Sequence, residues 1–271
     1  MDVQKINEMA KQMRKRILDI SYSCNANVHL GGGLSMVDIT ATLYGAVLKY
    51  DTRNPTLEDR DRFILSKGHG VLGFYSALLE AGIISEEIFA SFQANESDLM
   101  AHPVMNLALG IESSNGSLGQ GLSMGVGLAL AAKRKHMKHR IYVLLGNGEC
   151  NEGCVWEAIM SAAHFKLDNL IAIVDHNRFQ SDGKSETIMD CGDFADKWKS
   201  FGWNVCSVDG HNISALYNAF VERNVQNKPK AVIAHTIKGR GVSFMENNNE
   251  WHHNRLTKVH YDQALQEMGE I

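Results

Sequence analysis

Amide and carboxyl side chains follow two predicted strands at the points where the strands end. Asn147 comes just after the apolar run 141–145, and Asp175 and Asn177 come just after the apolar run 170–174. About thirty residues separate the two asparagines, roughly the length of one strand–helix–strand unit, so the two strands can lie side by side. Ligands of open α/β sheets bind outside the carboxyl ends of the strands, and we expect a site there.

The segment between these strands is rich in glycine and opens a helix. Residues 146–153 read Gly-Asn-Gly-Glu-Cys-Asn-Glu-Gly. Backbone N–H groups at the start of a helix bind anions, and hard oxygen ligands beside a diphosphate suit Mg²⁺ or Ca²⁺. Asn147 and Asn177 can also be explained as turn-capping residues, because Asn commonly has that role. Together with the glycines, their spacing favours a metal–diphosphate site.

The chain has 12 histidines, and a group of them stands in Gly-rich or irregular stretches: His29, His69, His102 and His252. A neutral imidazole both donates and accepts hydrogen bonds, and its ordinary pKa suits proton transfer near neutral pH. A lone histidine in a loop is also often structural. His136, next to Lys133, Arg134 and Lys135, is interpreted as part of a solvated helix face.

Strand and helix patterns alternate through most of the chain. Predicted strands cover 62–66, 141–145, 170–174, 203–208 and 231–235. The predicted helices end near residues 79, 135 and 165, and two more cover 193–201 and 213–223. This order indicates an α/β fold, a doubly wound parallel sheet with helices on both faces. Near the N-terminus, apolar residues at helical spacing predict an amphipathic helix packed on the body: Ile6, Met9, Met13, Ile17 and Ile20.

Composition places the chain among ordinary globular proteins. Of its 271 residues 44% are hydrophobic and 21% charged, and the net charge is −4, which argues against binding to nucleic acid or an anionic membrane. Five cysteines without a C-x-x-C pair make neither a disulfide framework nor a zinc ribbon. No export segment or spanning helix is recognised, so we expect one domain over 1–271 and a cytoplasmic location.

Two further patterns are weak. Residues 119–125 have the spacing G-x-G-x-x-x-G without a clear preceding strand, which makes a nicotinamide dinucleotide motif a poor interpretation. Cys150 and Cys154 lie about one helical turn apart, and without a nearby histidine pair we interpret them as buried thiols.

The chemical motifs also carry a family resemblance. The segment 146–177 is similar to the thiamin diphosphate motif, which begins Gly-Asp-Gly and ends about thirty residues later at an Asn. With it stand Ser66-Lys-Gly-His69, His102-Pro103, the Gly-rich block 116–123, Lys238-Gly-Arg-Gly241 and Trp251-His252. In this order the blocks resemble the N-terminal, diphosphate-binding half of transketolase over nearly the whole chain.

The resemblance implies thiamin diphosphate as cofactor, with Mg²⁺ or alternatively Ca²⁺ or Mn²⁺. The implied metal ligands are Asn147, Asn177 and the backbone carbonyl of Phe179. Asn147 stands where the family usually has Asp, which removes one negative charge and predicts weaker metal binding. The remaining implied cofactor contacts are His69 and His252, backbone N–H groups of Gly148 and Glu149 for the diphosphate, and Gly116, Ser117 and Leu118 for the aminopyrimidine.

Catalytic roles are implied for the four loop histidines, which match family positions that line the channel over the cofactor. After His29 this chain has Leu30 where the family has Pro, so the loop shape differs there. Glu152 and Glu157 match glutamates of a proton-relay network at a subunit junction. They can equally be a solvated or capping pair at a helix start.

The implied function is that of a split transketolase subunit, which moves a two-carbon ketol unit from a ketose phosphate or related anionic sugar to an aldose. A partner chain would carry the pyrimidine-binding and C-terminal domains, and we expect a heterotetramer. The alternatives are the α subunit of a 2-oxo acid dehydrogenase type of thiamin enzyme and a non-catalytic binding module. Asn147 alone favours the module, and a nicotinamide oxidoreductase is a distant third.

Overall fold

The computed structural model describes residues 1–222 and 224–270. Its strands form two sheets. The strands are β1 (Asn27–Val28), β2 (Arg62–Leu65), β3 (Ile141–Gly146), β4 (Leu170–His176), β5 (Asn204–Asp209), β6 (Lys230–His235) and β7 (Asn254–Arg255). Five of them form a sheet of order β2-β3-β4-β6-β5, in which every pair is parallel. β1 and β7 form a separate antiparallel pair.

Helices cover both faces of the five-stranded sheet. They are α1 (Val3–Ser23), α2 (Leu30–Ser35), α3 (Val37–Thr42), α4 (Val71–Glu80), α5 (Glu86–Ala90), α6 (Gln120–Arg134), α7 (Gly153–His164), α8 (Ser185–Ile188), α9 (Phe194–Ser200), α10 (Ile213–Val221) and α11 (Lys258–Glu267). Buried residues of α1, α3, α4 and α10 pack on one face, and those of α6, α7 and α9 on the other. The predicted α/β fold is confirmed.

The strand β3 shows why the sheet is buried on both faces. Tyr142 and Leu144 belong to the first apolar cluster, whereas Ile141, Val143 and Leu145 belong to the second. Successive side chains of a strand point to opposite faces, so an unbroken apolar run is what a doubly covered strand requires.

The helix α1 carries the predicted apolar stripe. The side chain of Asp2 caps its N-terminus by accepting hydrogen bonds from the N–H groups of Gln4 and Lys5. Four of the five predicted positions are buried and Met9 is partly buried, which confirms the packing of this helix on the body. Neither α1 nor any other helix in the described ranges is long and apolar enough to cross a membrane.

Other boundaries follow local chemistry. The helix α6 begins at Gln120, inside the Gly-rich stretch, because Gly119 at φ +84° supplies the left-handed turn that precedes it. Farther along, Gly125 lets this helix approach the sheet, since an added Cβ would lie 2.5 Å from the Cγ2 atom of Val143. The helix predicted over 213–223 is observed as α10, and residue 223 lies outside the described residues.

The prediction of two buried thiols is half right. Cys150 is fully buried, but Cys154 is only partly buried. Cys154 lies in the first turn of α7, where its sulfur contacts the exposed side chain of Gln120.

The sheet register places the two predicted polar strand ends together. β3 and β4 are neighbours, and Gly146 at the end of β3 pairs with Asp175 in β4. Asn147 and Asn177 therefore both follow this paired position at the carboxyl edge of the sheet, as the spacing predicted.

Candidate active site

A cavity of about 400 Å³ opens at this edge of the sheet. It brings together nearly all of the residues predicted for the site: His29, His69, His102, His252, Gly116, Leu118, Asn147, Gly148, Glu149, Glu152, Asn177 and Phe179. Ser117 and Glu157 are not among the lining residues of the described chain. Both are exposed, Ser117 between two lining residues and Glu157 on the outer face of α7.

A buried ion pair lies beneath the cavity. The Lys67 Nζ atom is 2.5 Å from the Asp175 Oδ2 atom, and the two side chains are 1% and 0% exposed. Ser35 donates a hydrogen bond to the same carboxylate at 2.6 Å, the Thr236 hydroxyl donates another, and Asn177 donates a third from Nδ2 at 3.2 Å. Both oxygens of this buried carboxylate thereby accept hydrogen bonds, and the Asn177 amide is held in one orientation.

The pKa of Asp175 reflects two opposing causes. Burial raises it, but the Lys67 charge and the hydrogen bonds from Ser35 and Thr236 outweigh that effect and hold the pKa below its ordinary value. Lys67 also donates to the carbonyl oxygen of Gly32 at 2.7 Å, which ties the ion pair to the glycine segment of α2. Sequence reasoning did not assign Lys67 a role, because nothing in the spacing showed that it meets Asp175.

Three oxygen-bearing groups meet at the proposed metal position. The N–H of Phe179 donates to the Asn177 Oδ1 atom at 3.0 Å, and the Asn147 Nδ2 atom donates to the Phe179 carbonyl at 3.4 Å. Asn147 Nδ2 also donates to the Ser185 Oγ atom at 2.6 Å. The Asn147 Oδ1 atom is buried and has no hydrogen-bond partner within the described residues.

This donor set fits a hard cation. An unpartnered buried oxygen requires an explanation, and a bound ion is one. Amide and carbonyl oxygens are ligands that Mg²⁺ and Ca²⁺ accept. Over the described ranges no group of three or more His, Cys, Asp or Glu side chains is arranged to hold a metal.

Glu149 contributes through its side chain as well as its backbone. Its carboxylate accepts hydrogen bonds from the Gly119 N–H at 2.8 Å, the Ser66 hydroxyl at 2.5 Å and the Gly146 N–H at 3.0 Å. Burial raises the pKa of this carboxyl group, while these hydrogen bonds oppose the rise. The carboxylate thus joins the start of α6 to the loop after β3, a role that the motif did not reveal.

Backbone donors line the same loop. Residues Gly148–Asn151 form a turn of 3₁₀ helix directly after β3. The first N–H groups of a helical turn have no partner inside it, so those of Gly148 and Glu149 can bind an anion in the cavity.

The four predicted histidines gather around His29. Its ring centroid lies 5.2 Å from that of His69, 5.9 Å from that of His102 and 5.3 Å from that of His252. His69 and His252 are themselves 5.4 Å apart. The structure therefore brings residues from four separate loops into one cluster of imidazoles.

Burial and crowding keep three of these rings neutral at pH 7. Burial, followed by the charges of His253, His252, His102 and Lys238, lowers the pKa of His29 to about 3. Burial and the Lys238 charge lower the pKa of His252 to about 4. The pKa of His69 is lowered well below its ordinary value by burial and by the Lys67 charge. A neutral imidazole has one donor and one acceptor nitrogen, which suits contact with sugar hydroxyl and carbonyl oxygens.

Lys238 lines the cavity, and sequence reasoning assigned it no role. Its Nζ atom donates to the Gln180 carbonyl at 2.9 Å and to Asn249 Oδ1 at 2.7 Å, and it lies 3.0 Å from His252 Nδ1. These partners are neutral, and the side chain lines the cavity. Burial and the Lys67 charge lower its pKa to about 8, so at pH 7 it is mostly a cation facing the cavity. The Lys-Gly-Arg-Gly motif was the available signal.

A second polar network holds the segment that carries Lys238. Asp38 accepts from Arg14 at 2.5 Å and from His211 Nδ1 at 2.7 Å. The Nε2 atom of His211 accepts from the Ile237 N–H at 2.8 Å, one residue before Lys238. Arg14 also donates from Nε to the Arg240 carbonyl at 3.3 Å. Helices α1 and α3 thereby fix the backbone on both sides of Lys238.

The helices α6 and α7 begin close in sequence to the cavity-lining residues Leu118 and Glu152, and their outer surfaces are partly apolar. Met160 is 55% exposed, Phe165 45% and Leu128 38%. Glu152, which precedes α7, and Glu157, within α7, are also exposed. Patches of exposed apolar side chains are typical of partner surfaces.

Comparison with known proteins identifies the relatives of this chain. A family model described as the thiamine diphosphate binding domain of transketolase matches residues 6–270. An apulose-4-phosphate transketolase subunit of Phocaeicola vulgatus is 39% identical over 100% of this chain and 96% of the relative. A 6-deoxy-6-sulfo-D-fructose transketolase subunit of Clostridium sp. strain MSTE9 is 40% identical over 89% of this chain and 88% of the relative.

Longer proteins match with one part of their length. Human transketolase is 34% identical over 98% of this chain, which spans 42% of that relative. Solved transketolases superpose closely. That of Campylobacter jejuni gives a TM-score of 0.92 at 30% identity, and the match covers 99% of this chain and 43% of that protein. A Pichia stipitis transketolase in complex with sedoheptulose 7-phosphate gives a TM-score of 0.90 at 28% identity. The match covers 97% of this chain and 40% of that protein. The family resemblance drawn from the motifs is confirmed.

The buried ion pair generates a stability prediction. Lys67→Met leaves the Asp175 carboxylate buried without its cation, so we expect the free energy of unfolding to fall by about 3–5 kcal/mol at pH 7, measured by urea denaturation. The double variant Lys67→Met/Asp175→Asn removes both charges and should recover much of that loss. Because the pKa of Asp175 is lowered on folding, the ion pair stabilises the folded state above roughly pH 4. The difference in free energy of unfolding between Lys67→Met and wild type should therefore narrow as the pH falls below about 4.

Lys135→Met is the matched control, since Lys135 pairs with Glu58 on the surface, where the side chains are 63% and 66% exposed. It should change the free energy of unfolding by less than about 1 kcal/mol. Similar losses for the Lys67 and Lys135 variants would contradict the importance given to the buried pair.

Proposed function

Because the chain belongs to the transketolase family, we propose that residues 1–271 are its diphosphate-binding domain and act as one subunit of a two-chain transketolase. Such an enzyme moves a two-carbon ketol unit from a ketose to an aldose. The observation that carries the proposal is the cluster of four imidazoles at a cavity. The same cavity is lined by amide and carbonyl oxygens, by backbone N–H groups and by the Lys238 ammonium group.

The residues of the cavity fit thiamin diphosphate. When bound, this cofactor supplies the electron sink that lets a carbon–carbon bond next to a ketone break. The N–H groups of Gly148 and Glu149 and the Lys238 ammonium group are the donors suited to the diphosphate. Gly116, Ser117 and Leu118 are assigned to the aminopyrimidine, and His69 and His252 to the remaining polar contacts.

We assign a divalent cation, Mg²⁺ or else Ca²⁺ or Mn²⁺, to Asn147, Asn177 and the Phe179 carbonyl. The unpartnered Oδ1 atom of Asn147 supports this assignment. The orientation of Asn177 supports it too, because Asp175 and the Phe179 N–H fix that side chain from both ends.

The histidines are assigned to the substrate side of the cavity. Neutral His29, His69 and His252 can donate a hydrogen bond to a ketose oxygen or accept one from a sugar hydroxyl, and so hold or move a proton at those atoms. His102 completes the group beside Gly116, where an added Cβ would lie 3.7 Å from its ring. His29, His69 and His252 are partly buried, and the lower local dielectric strengthens their hydrogen bonds, whereas His102 is exposed.

The substrates we assign are anionic sugars, phosphorylated or sulfonated. The relatives named for apulose 4-phosphate and for 6-deoxy-6-sulfo-D-fructose support this class. Lys238 is surrounded by neutral groups and is assigned to the cofactor, so we place recognition of the sugar's anionic group on the partner chain.

The partner would supply the pyrimidine-binding and C-terminal domains. The relatives named as subunits support this. We assign the α6–α7 surface, with Glu152 and Glu157, to that interface, because it is exposed and partly apolar and because Glu152 before α7 lines the cavity. Two copies of each chain would form a heterotetramer with closed symmetry. Five free thiols support a reducing compartment, and we place the enzyme in the cytoplasm.

The first functional prediction concerns the cation. Asn147→Ala should abolish thiamin diphosphate binding in the assembled enzyme, because it removes an oxygen ligand. Asn147→Asp should tighten Mg²⁺ binding and keep activity, because a carboxylate adds charge. The hydrogen bond that Asn147 Nδ2 donates to the Ser185 Oγ atom would be replaced by one from the Ser185 hydroxyl to the carboxylate. Calorimetric titration measures both. Undiminished metal and cofactor affinity in Asn147→Ala would contradict the ligand assignment.

The second functional prediction concerns the imidazole cluster around His29. Alanine at His69, His102 or His252 should lower kcat/KM for ketol transfer by about 10²–10⁴, the range for a positioned proton-transfer group. His136→Asn is the control, because His136 is exposed and has φ +57°, a conformation that Asn tolerates. Equal and small changes of kcat/KM in all the variants would contradict the catalytic assignment and indicate a structural role for the cluster.

The third concerns the partner chain. The 271-residue chain alone should show no ketol transfer with added Mg²⁺ and thiamin diphosphate, and activity should appear only with a chain that carries the pyrimidine-binding domain. The donor panel is fructose 6-phosphate, xylulose 5-phosphate, sedoheptulose 7-phosphate, apulose 4-phosphate and 6-deoxy-6-sulfofructose. Full turnover by the isolated chain would exclude the two-chain enzyme. Cofactor binding without turnover on any ketose, even with the partner, would favour a non-catalytic module.

A further inference from the structure

The short ladder of β1 and β7 sets one further histidine at the mouth of the cavity. Asn27 pairs with Arg255 and Val28 pairs with Asn254 in antiparallel register. Continuing that register by one residue places His253 opposite His29. The ring centroids confirm the juxtaposition, because they lie 4.4 Å apart with the planes tilted by 37°.

His252 and His253 stand on different sides of His29. The backbone at His253 is extended, at φ −146° and ψ 100°, so consecutive side chains point in opposite directions. His252 points inward, 3.0 Å from the Lys238 Nζ atom, and lines the cavity. His253 is exposed and lies outside the lining set, although its ring is nearer to His29 than those of His69, His102 and His252.

We propose that His253 is a substrate-contacting residue at the cavity rim, where it hydrogen-bonds a hydroxyl group of a sugar that extends outward past His29. The inference rests on the proposed transketolase function and assigns a further specificity-determining residue to the same site. A short ketose that fits within the cavity would not reach this ring, whereas a long anionic one would.

The position of His253 favours a binding role over a part in the bond-breaking step. The inner end of the cavity, with Asn147, Asn177 and Lys238, is where the cofactor's charged groups are assigned. His253 is exposed and lies beside the cavity-lining ring of His29 without lining the cavity itself, so the rim meets only the far part of a bound sugar. A contact of this kind stabilises the bound substrate and the transition state alike, which changes KM rather than kcat.

The test uses the assembled two-chain enzyme with the fastest anionic ketose of the donor panel and with erythrulose, a short uncharged ketose. His253→Ala should raise KM for the anionic ketose about tenfold, with kcat within about twofold of wild type. KM for erythrulose should change by less than about twofold. His253→Gln keeps a donor and an acceptor and should recover most of the loss, while thiamin diphosphate affinity stays unchanged in both variants.

Other results would overturn the inference. A fall in kcat with both ketoses would make His253 a positioning residue for His29, and unchanged kinetics with both would remove any substrate contact. His136→Asn controls for the loss of an exposed imidazole elsewhere. A wild-type enzyme without ketol transfer on any ketose would overturn the proposed function and this inference with it, whereas an active wild type with an unaltered His253→Ala variant would overturn this inference alone.

Discussion

The site depends on one buried ion pair. Lys67 and Asp175 come from the ends of two strands that lie on either side of β3 in the sheet. Removing two charges from water is costly, and only close pairing with further hydrogen bonds offsets that cost. Here Ser35, Thr236 and Asn177 supply those bonds. The same contacts that neutralise the charges therefore fix α2, β4 and the start of the segment after β6 around one point.

Two lysines that line the cavity add to the effect of burial on the pKa values of neighbouring imidazoles. Lys67 lowers the pKa of His69, and Lys238 lowers that of His252, in each case after burial. Cations so close make a second positive charge on a neighbouring ring unfavourable. His69 and His252 are thus held neutral and ready to accept hydrogen bonds, while positive charge stays on the lysines.

Much of this arrangement could be predicted, because it follows from patterns along the chain. Apolar periodicity gave the sheet and its helices, and the spacing of Asn147 and Asn177 gave the polar edge. The side-chain partners could not be predicted. No pattern in the neighbouring sequence indicates that Asp175 pairs with Lys67 or that the Glu149 carboxylate accepts from the Gly119 N–H. The hydrogen bond from the Ile237 N–H to His211 is equally hidden. Such contacts depend on packing between distant segments, which spacing alone does not encode.

The β1–β7 ladder has a consequence for how the cavity is completed during folding. It joins residues 27–28 to residues 254–255, and the rings of Tyr22 and Tyr261 stack nearby at 4.5 Å. Contacts between segments so far apart in sequence are entropically costly and form slowly. During synthesis the rim cannot close until residue 255 has left the ribosome, long after β3 and β4 are available to pair. The emerging chain therefore has a sheet edge well before it has an enclosed cavity.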